Sequence, residues 1–134
     1  MAIVQTNLVV FNGTDGATPR GSLIADANGD LFGTTQFGGT NNEGTVFELA
    51  KNGASYTPST LVSFTGGSGG FQPWGSLIAD AHGDLFGTTS GGGPNGFGTV
   101  FEIVKGRPIG GPTRGESPSR ARYGVPRSRQ VAYR

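Results

Sequence analysis

The 134 residues include no Cys, one His, one Trp, 26 Gly and 8 Pro. That excludes disulfide scaffolds and thiolate metal sites and places Gly plus Pro at the roughly 25–30% where low complexity becomes the default reading. The net charge of +1 hides two unlike segments: residues 1–105 carry three basic against eight acidic side chains, and residues 106–134 carry seven Arg against Glu116.

Residues 3–11 (IVQTNLVVF) are apolar enough for a strand, but they lack the basic start and small-residue cleavage site of a signal peptide. Residues 22–26 form a short apolar run. Residues 27–30, Ala-Asn-Gly-Asp, read as a type I′ hairpin turn, because Asn-Gly tolerates the positive φ such a turn needs. Residues 31–35 read as the return strand, 36–43 as a Gly- and Asn-rich loop, 44–50 as a third strand and 59–64 as a fourth. No window shows helical periodicity. No stretch approaches the ~18 consecutive apolar residues of a membrane-spanning helix.

The series then starts again. Residues 21–35 (GSLIADANGDLFGTT) return as residues 75–89 (GSLIADAHGDLFGTT), with Asn28 against His82 as the single difference. Residues 44–49 (GTVFEL) return as 98–103 (GTVFEI) at the same offset, and 8–11 (LVVF) return as 61–64 (LVSF) one residue closer. The repeat region spans residues 1–105, with units at about 8–60 and 61–105.

Four short strands in a unit of this size predict an all-β fold of two β-propeller-like four-stranded blades, a partial propeller or fragment of one. Neighbouring apolar residues such as Leu23-Ile24 and Leu31-Phe32 imply sheets covered on both faces, as in stacked blades. Known propellers close with about 4–8 blades, so two predict either homo-oligomerisation through exposed blade faces or instability. The second unit lacks a fourth strand, and residues 3–11 are a fourth strand with no unit before them. They are placed to complete that sheet, in the same chain or in a neighbour.

Residues 106–134, rich in Arg, Pro and Gly, predict a disordered tail. It reads as a solvated tail or out-of-frame sequence, or else as an Arg tether for nucleic acid or an anionic surface.

The chemistry-bearing patterns are few. Asp26, Asn28 and Asp30 offer the first oxygen ligands of an EF-hand loop, a weak possibility of calcium. Leu31 stands where that loop needs Gly, and its distal Glu is missing. The alternative is a hairpin turn whose Asp side chains bond local N–H groups. Ser68 in Gly-Gly-Ser-Gly-Gly matches a nucleophile elbow without a following helix. Gly91, Gly93 and Gly96 match G-x-G-x-x-G before a strand rather than a helix. Glu48 and Glu102 are copies of one strand position, which argues for a structural rather than an acid–base role. Asn12-Gly-Thr14 is a glycosylation sequon, without meaning in a bacterial chain. Phe71 and Trp74, on the loop peculiar to the second unit, are the candidate ligand-binding residues, as a sugar-stacking pair or as cover for a seam.

At Gly-Asp-Leu-Phe-Gly-Thr-Thr and Gly-Thr-Val-Phe-Glu-Leu, the chain resembles the GloVer tandem-repeat family over about residues 8–105. The resemblance implies a bacterial secreted or cell-surface repeat protein and transfers no catalytic residue. The expected function is a non-enzymatic, extracellular-type module for binding or display through loops 36–43 and 90–97, with a glycan or protein partner and no cofactor. A carbohydrate-binding, lectin-like ring of two-blade chains and a fragment of a propeller-type enzyme are the alternatives.

Overall fold

The computed structural model describes residues 2–105 and the backbone of residues 127–129. These residues form strands and one 3-10 turn, and no α-helix is found among them. The first sheet contains β1 (Ala17–Pro19), β2 (Ile24–Ala25), β3 (Leu31–Phe37), β4 (Thr45–Asn52) and β5 (Ser55–Ser63) in the order β1-β3-β4-β5, with β2 also on β3. The second contains β6 (Ile78–Ala79), β7 (Leu85–Thr89), β8 (Thr99–Val104) and β9 (Arg127–Arg129), in that order. All pairings are antiparallel.

The repeat fixes the register. Leu31 pairs with Leu49 and Thr35 with Thr45; their copies Leu85 and Ile103, and Thr89 and Thr99, pair in the same way. Inside each sheet one hydroxyl pair joins the two central strands. Thr35 Oγ1 and Thr45 Oγ1 lie 2.7 Å apart, and Thr89 Oγ1 and Thr99 Oγ1 2.8 Å. The Thr35 and Thr89 oxygens also accept the backbone N–H of Thr45 and Thr99. Buried polar groups are thereby satisfied within the sheet, as they must be.

Four expectations change. Residues 3–11 form no strand. The copies of residues 8–11, at the end of β5, take a ladder from β4, whereas residues 3–11 have none among the described residues. Phe11 instead sets its ring edge-on to Phe47 at 5.1 Å. Residues 22–26 contract to Ile24–Ala25, while β5 starts four residues early, at Ser55, behind an Asn52-Gly53 corner in which Gly53 takes φ +62°. Its Pro58 is harmless because β5 is an edge strand. The expected disordered tail, residues 106–134, lies outside the described residues apart from the backbone of Arg127–Arg129, which pairs with Glu102–Val104.

The fourth change concerns the tight turns. Asn28 does not take a positive φ; only Gly29 does, at +85°, with Gly83 at +83° in the second copy. The cause is Asp26, whose Oδ1 accepts the N–H of Asn28 at 2.9 Å and of Asp30 at 3.0 Å. Asp80 does the same for His82 and Asp84. With Gly29 N–H also bonded to Asp26 O at 3.1 Å, the chain makes a type I turn closed by a glycine bulge, the usual three-residue hairpin loop. His82 is therefore tolerated because its position requires no left-handed backbone.

Alternation separates the faces. In the first sheet Ile24, Phe32, Val46 and Val62 are cross-strand or same-face neighbours. In the second, Leu85, Phe101 and Ile103 share a face. These two faces meet with Leu77 and Phe64 in one continuous core, where Phe64 stands edge-on to Phe101 at 5.2 Å. Each fully buried side chain of this size contributes about 1.5–3 kcal/mol.

Gly33 and Gly87 let one ring lie flat on the sheet. A Cβ at Gly87 would sit 2.5 Å from Phe101 Cζ and 2.8 Å from Leu77 Cδ2; at Gly33 it would sit 2.6 Å from Phe47 Cζ and 2.9 Å from Leu23 Cδ2. Leu77 is 1% exposed and Leu23 52%, so only the first site lacks room to yield. Urea denaturation is expected to show Gly87→Ala losing about 1–3 kcal/mol and Gly33→Ala clearly less. Equal losses would mean that the two seams are equally closed.

Candidate functional site

The described residues present two ends. At the turn end, the β2–β3 and β6–β7 turns lie side by side because the sheets that carry them are stacked. Between them opens a cleft of about 560 Å³, within the roughly 300–1,000 Å³ of small-ligand sites. The methyl groups of Ala25, Ala27, Ala79 and Ala81 give it short walls, and Asp26, Asn28, Asp80, His82 and Lys105 supply the polar groups. Asp26 and Asp80 have already committed Oδ1 to the turns. Asn28 and His82 are exposed.

Lys105 closes one side of the cleft. Its Nζ is 2.8 Å from Glu48 Oε2 and 4.5 Å from the centroid of Phe32. Glu48 sits on β4 of the first sheet and Lys105 follows β8 of the second, so the pair crosses the seam. Sequence reasoning isolated Glu48 but missed its partner, because nothing in the spacing of 57 residues marks it. Asp26 and Asp80 each accept two turn N–H groups, as the hairpin reading of these runs expects. No group of three or more His, Asp or Glu placed to hold a metal ion occurs among the described residues.

At the loop end, residues 38–44 and 92–98 are stitched to their surroundings through the backbone. Gly39 N–H reaches Gly13 O and Gly44 N–H reaches Gly38 O; in the second copy Gly93 N–H reaches Gly67 O and Gly98 N–H reaches Gly92 O. The G-x-G-x-x-G amides at Gly93 and Gly96 are thus turned onto carbonyls rather than toward a phosphate. Ser68 lies in the 3-10 turn Gly67–Gly69, with no α-helix behind it.

Phe71 and Trp74 have different surroundings. Phe71 is half-buried over Gly91, bonded to it in both directions along the backbone. Trp74 is 52% exposed and carries the Arg20 guanidinium 4.7 Å from its ring centroid. Arg20 is the copy of Trp74 in the first unit, and its Nε donates to Gln36 Oε1. The sequence reading missed Arg20, although the offset of 54 residues puts it opposite Trp74. It also missed Phe97, which is almost wholly exposed.

Lys105→Met is expected to cost about 1–2 kcal/mol in urea denaturation, between the values for exposed and buried pairs. A double-mutant cycle with Glu48→Gln is expected to recover most of that as coupling. Zero coupling would reduce the seam pair to a surface contact.

The family model described as the Gloeobacter/Verrucomicrobia repeat matches residues 3–108. No curated protein and no solved structure matches the chain. With most of its length matched, across both copies of the duplicated unit, the chain belongs to the Gloeobacter/Verrucomicrobia (GloVer) repeat family.

Proposed function

We propose that the chain is a non-enzymatic binding or display module of extracellular or cell-surface type, whose two sheets are consecutive blades of a propeller-like stack. The observation that carries this reading is the cleft between the two copied turns, which exists only because two sheets lie together. The blade assignment draws support from strand order in each sheet, from the repeat offset and from the single core between facing sheets. The non-enzymatic reading draws support from the occupations of the acidic groups: Asp26 and Asp80 hold turns, and Glu48 holds Lys105. The extracellular assignment rests on the family resemblance. No helix among the described residues is long and apolar enough to cross a membrane.

Carbohydrate recognition is the second reading. A cleft with shallow methyl walls and a rim of carboxylate, amide, imidazole and ammonium groups suits a hydroxyl-rich ligand, which needs both donors and acceptors. Trp74, half-exposed beside Arg20, offers a stacking face at the other end.

A glycan array probed with the purified chain tests both readings. The change His82→Asn restores the first copy's residue and leaves the turn intact, so stability is expected to move by less than about 0.5 kcal/mol. Binding through the cleft is expected to fall at least tenfold, by about 1.4 kcal/mol, while Trp74→Ala leaves it unchanged. The opposite result would move the site to the loop end. Turnover of any glycan would overturn the non-enzymatic reading.

A further inference from the structure

The two units give the same residues different surroundings. Val46 is sealed at 0% exposure, whereas its copy Val100 is 49% exposed. Ile24 packs on the core, whereas its copy Ile78 is 67% exposed. Thr34 is buried and Thr88 exposed. On the opposite flank the order reverses, with Leu77 sealed and its copy Leu23 half-exposed. The second sheet therefore lacks, on its Ile78–Val100 face, the cover that it provides to the first. The first sheet is open at Leu23, where the second is closed.

The segment before the first sheet completes the pattern. Ile3, Val4 and Val10 are strongly exposed. Residues 8–11 copy residues 61–64, and there Val62 pairs with Val46 and Ser63 with Thr45 at the outer side of the first sheet. In the second sheet β9 pairs only with Glu102, Ile103 and Val104. The stretch Thr99–Phe101 has no named strand on that side among the described residues.

We propose that a second copy of this chain docks head to tail. Its residues 7–10 add to the Thr99–Phe101 edge, and its first sheet covers the Ile78–Val100 face. The proposal rests on the blade reading and names its partner. The chain's own inner seam supplies the register. Val62 opposite Val46 becomes Val9 of the arriving copy opposite Val100, and Ser63 opposite Thr45 becomes Val10 opposite Thr99.

The ring contact Phe64–Phe101 becomes Phe11–Phe47, which the arriving copy already makes. The bond from Ser22 N–H to Ser76 Oγ becomes one from Ser76 N–H to Ser22 Oγ of the arriving copy. Arg20 of that copy reaches Trp74 as Arg20 does within the chain. Strand addition of this kind satisfies an exposed edge through main-chain bonds. Such a heterologous contact repeats until a ring closes, and two to four copies would supply the about four to eight blades of a propeller.

Light scattering on the full chain, from about 1 to about 200 μM to span micromolar affinities, tests the proposal. The mass is expected to rise above the 13.7 kDa of one chain. Val100→Asp removes the accepting face, and Val9→Pro removes a ladder donor. Each is expected to weaken association at least tenfold while preserving the circular dichroism spectrum, since Val100 is exposed and Val9 is half-buried outside any strand. Ile78→Asp replaces Val100→Asp should that variant fail to fold.

Mixed in equal amounts, an accepting-face variant and Val9→Pro are expected to stop at two chains, because one competent donor and one competent edge remain. A wild-type chain that stays at single-chain mass throughout overturns the proposal, as does either variant associating as the wild type does. Glycan-array binding by monomeric Val100→Asp separates failure of the assembly from failure of the binding reading.

Discussion

Each sheet is apolar on both faces, so neither stays dry alone. The first sheet places Phe32 and Val46 on one side and Phe47 and Leu49 on the other, all of them buried. A hydrophobic sheet with two dry faces needs a neighbour on each, and stacking is the arrangement that repeats indefinitely. Everything else follows from that requirement: the flat approach of aromatic rings over Gly33 and Gly87, the ion pair across the seam, and the placing of like turns side by side.

The glycine content is the other half of the same constraint. Stacked sheets need compact connections at both ends: the hairpin turns are held by the Asp26 and Asp80 side chains, and the loops at the other end close largely through backbone hydrogen bonds. Gly38 and Gly92 carry positive φ at copied positions, and a Cβ on either would run into the backbone of residue 16 or 70. A composition near that of a disordered chain therefore specifies an ordered one, because the glycines fall where only glycine fits. The buried threonine pairs serve the same end, satisfying polar groups inside a sheet that water does not reach.

The repeat made the fold class readable, because two copies of a 15-residue block identify strands and turns more securely than propensity does for one. It also explains the misses. Residues 3–11 were readable as a strand by their likeness to residues 61–64, yet a strand is defined by its partner, and sequence does not show whether the partner is present. The turn at Asn28-Gly29 pointed to the commonest two-residue loop. Asp26 overrode that preference with two side-chain bonds that only coordinates reveal. Phe71 was visible as an aromatic residue but not as a cover for Gly91. The cleft was invisible, since it belongs to neither unit and arises from their packing.

In two sheets stacked in this way, variation concentrates where packing does not dictate the residue. Positions dictated by the fold recur: the leucines and phenylalanines of the seam, the turn aspartates, the paired threonines. Positions released from the fold diverge, and among the divergences are Asn28 against His82, Arg20 against Trp74, Ala17 against Phe71 and Glu43 against Phe97. One of them, Ala17 against Phe71, has become packing. The others put a hydrogen-bonding ring at the cleft, a stacked cation and indole at the seam, and an exposed phenyl on a loop. The shared framework fixes these side chains in place at no cost to its own core, so the copies are free to differ there.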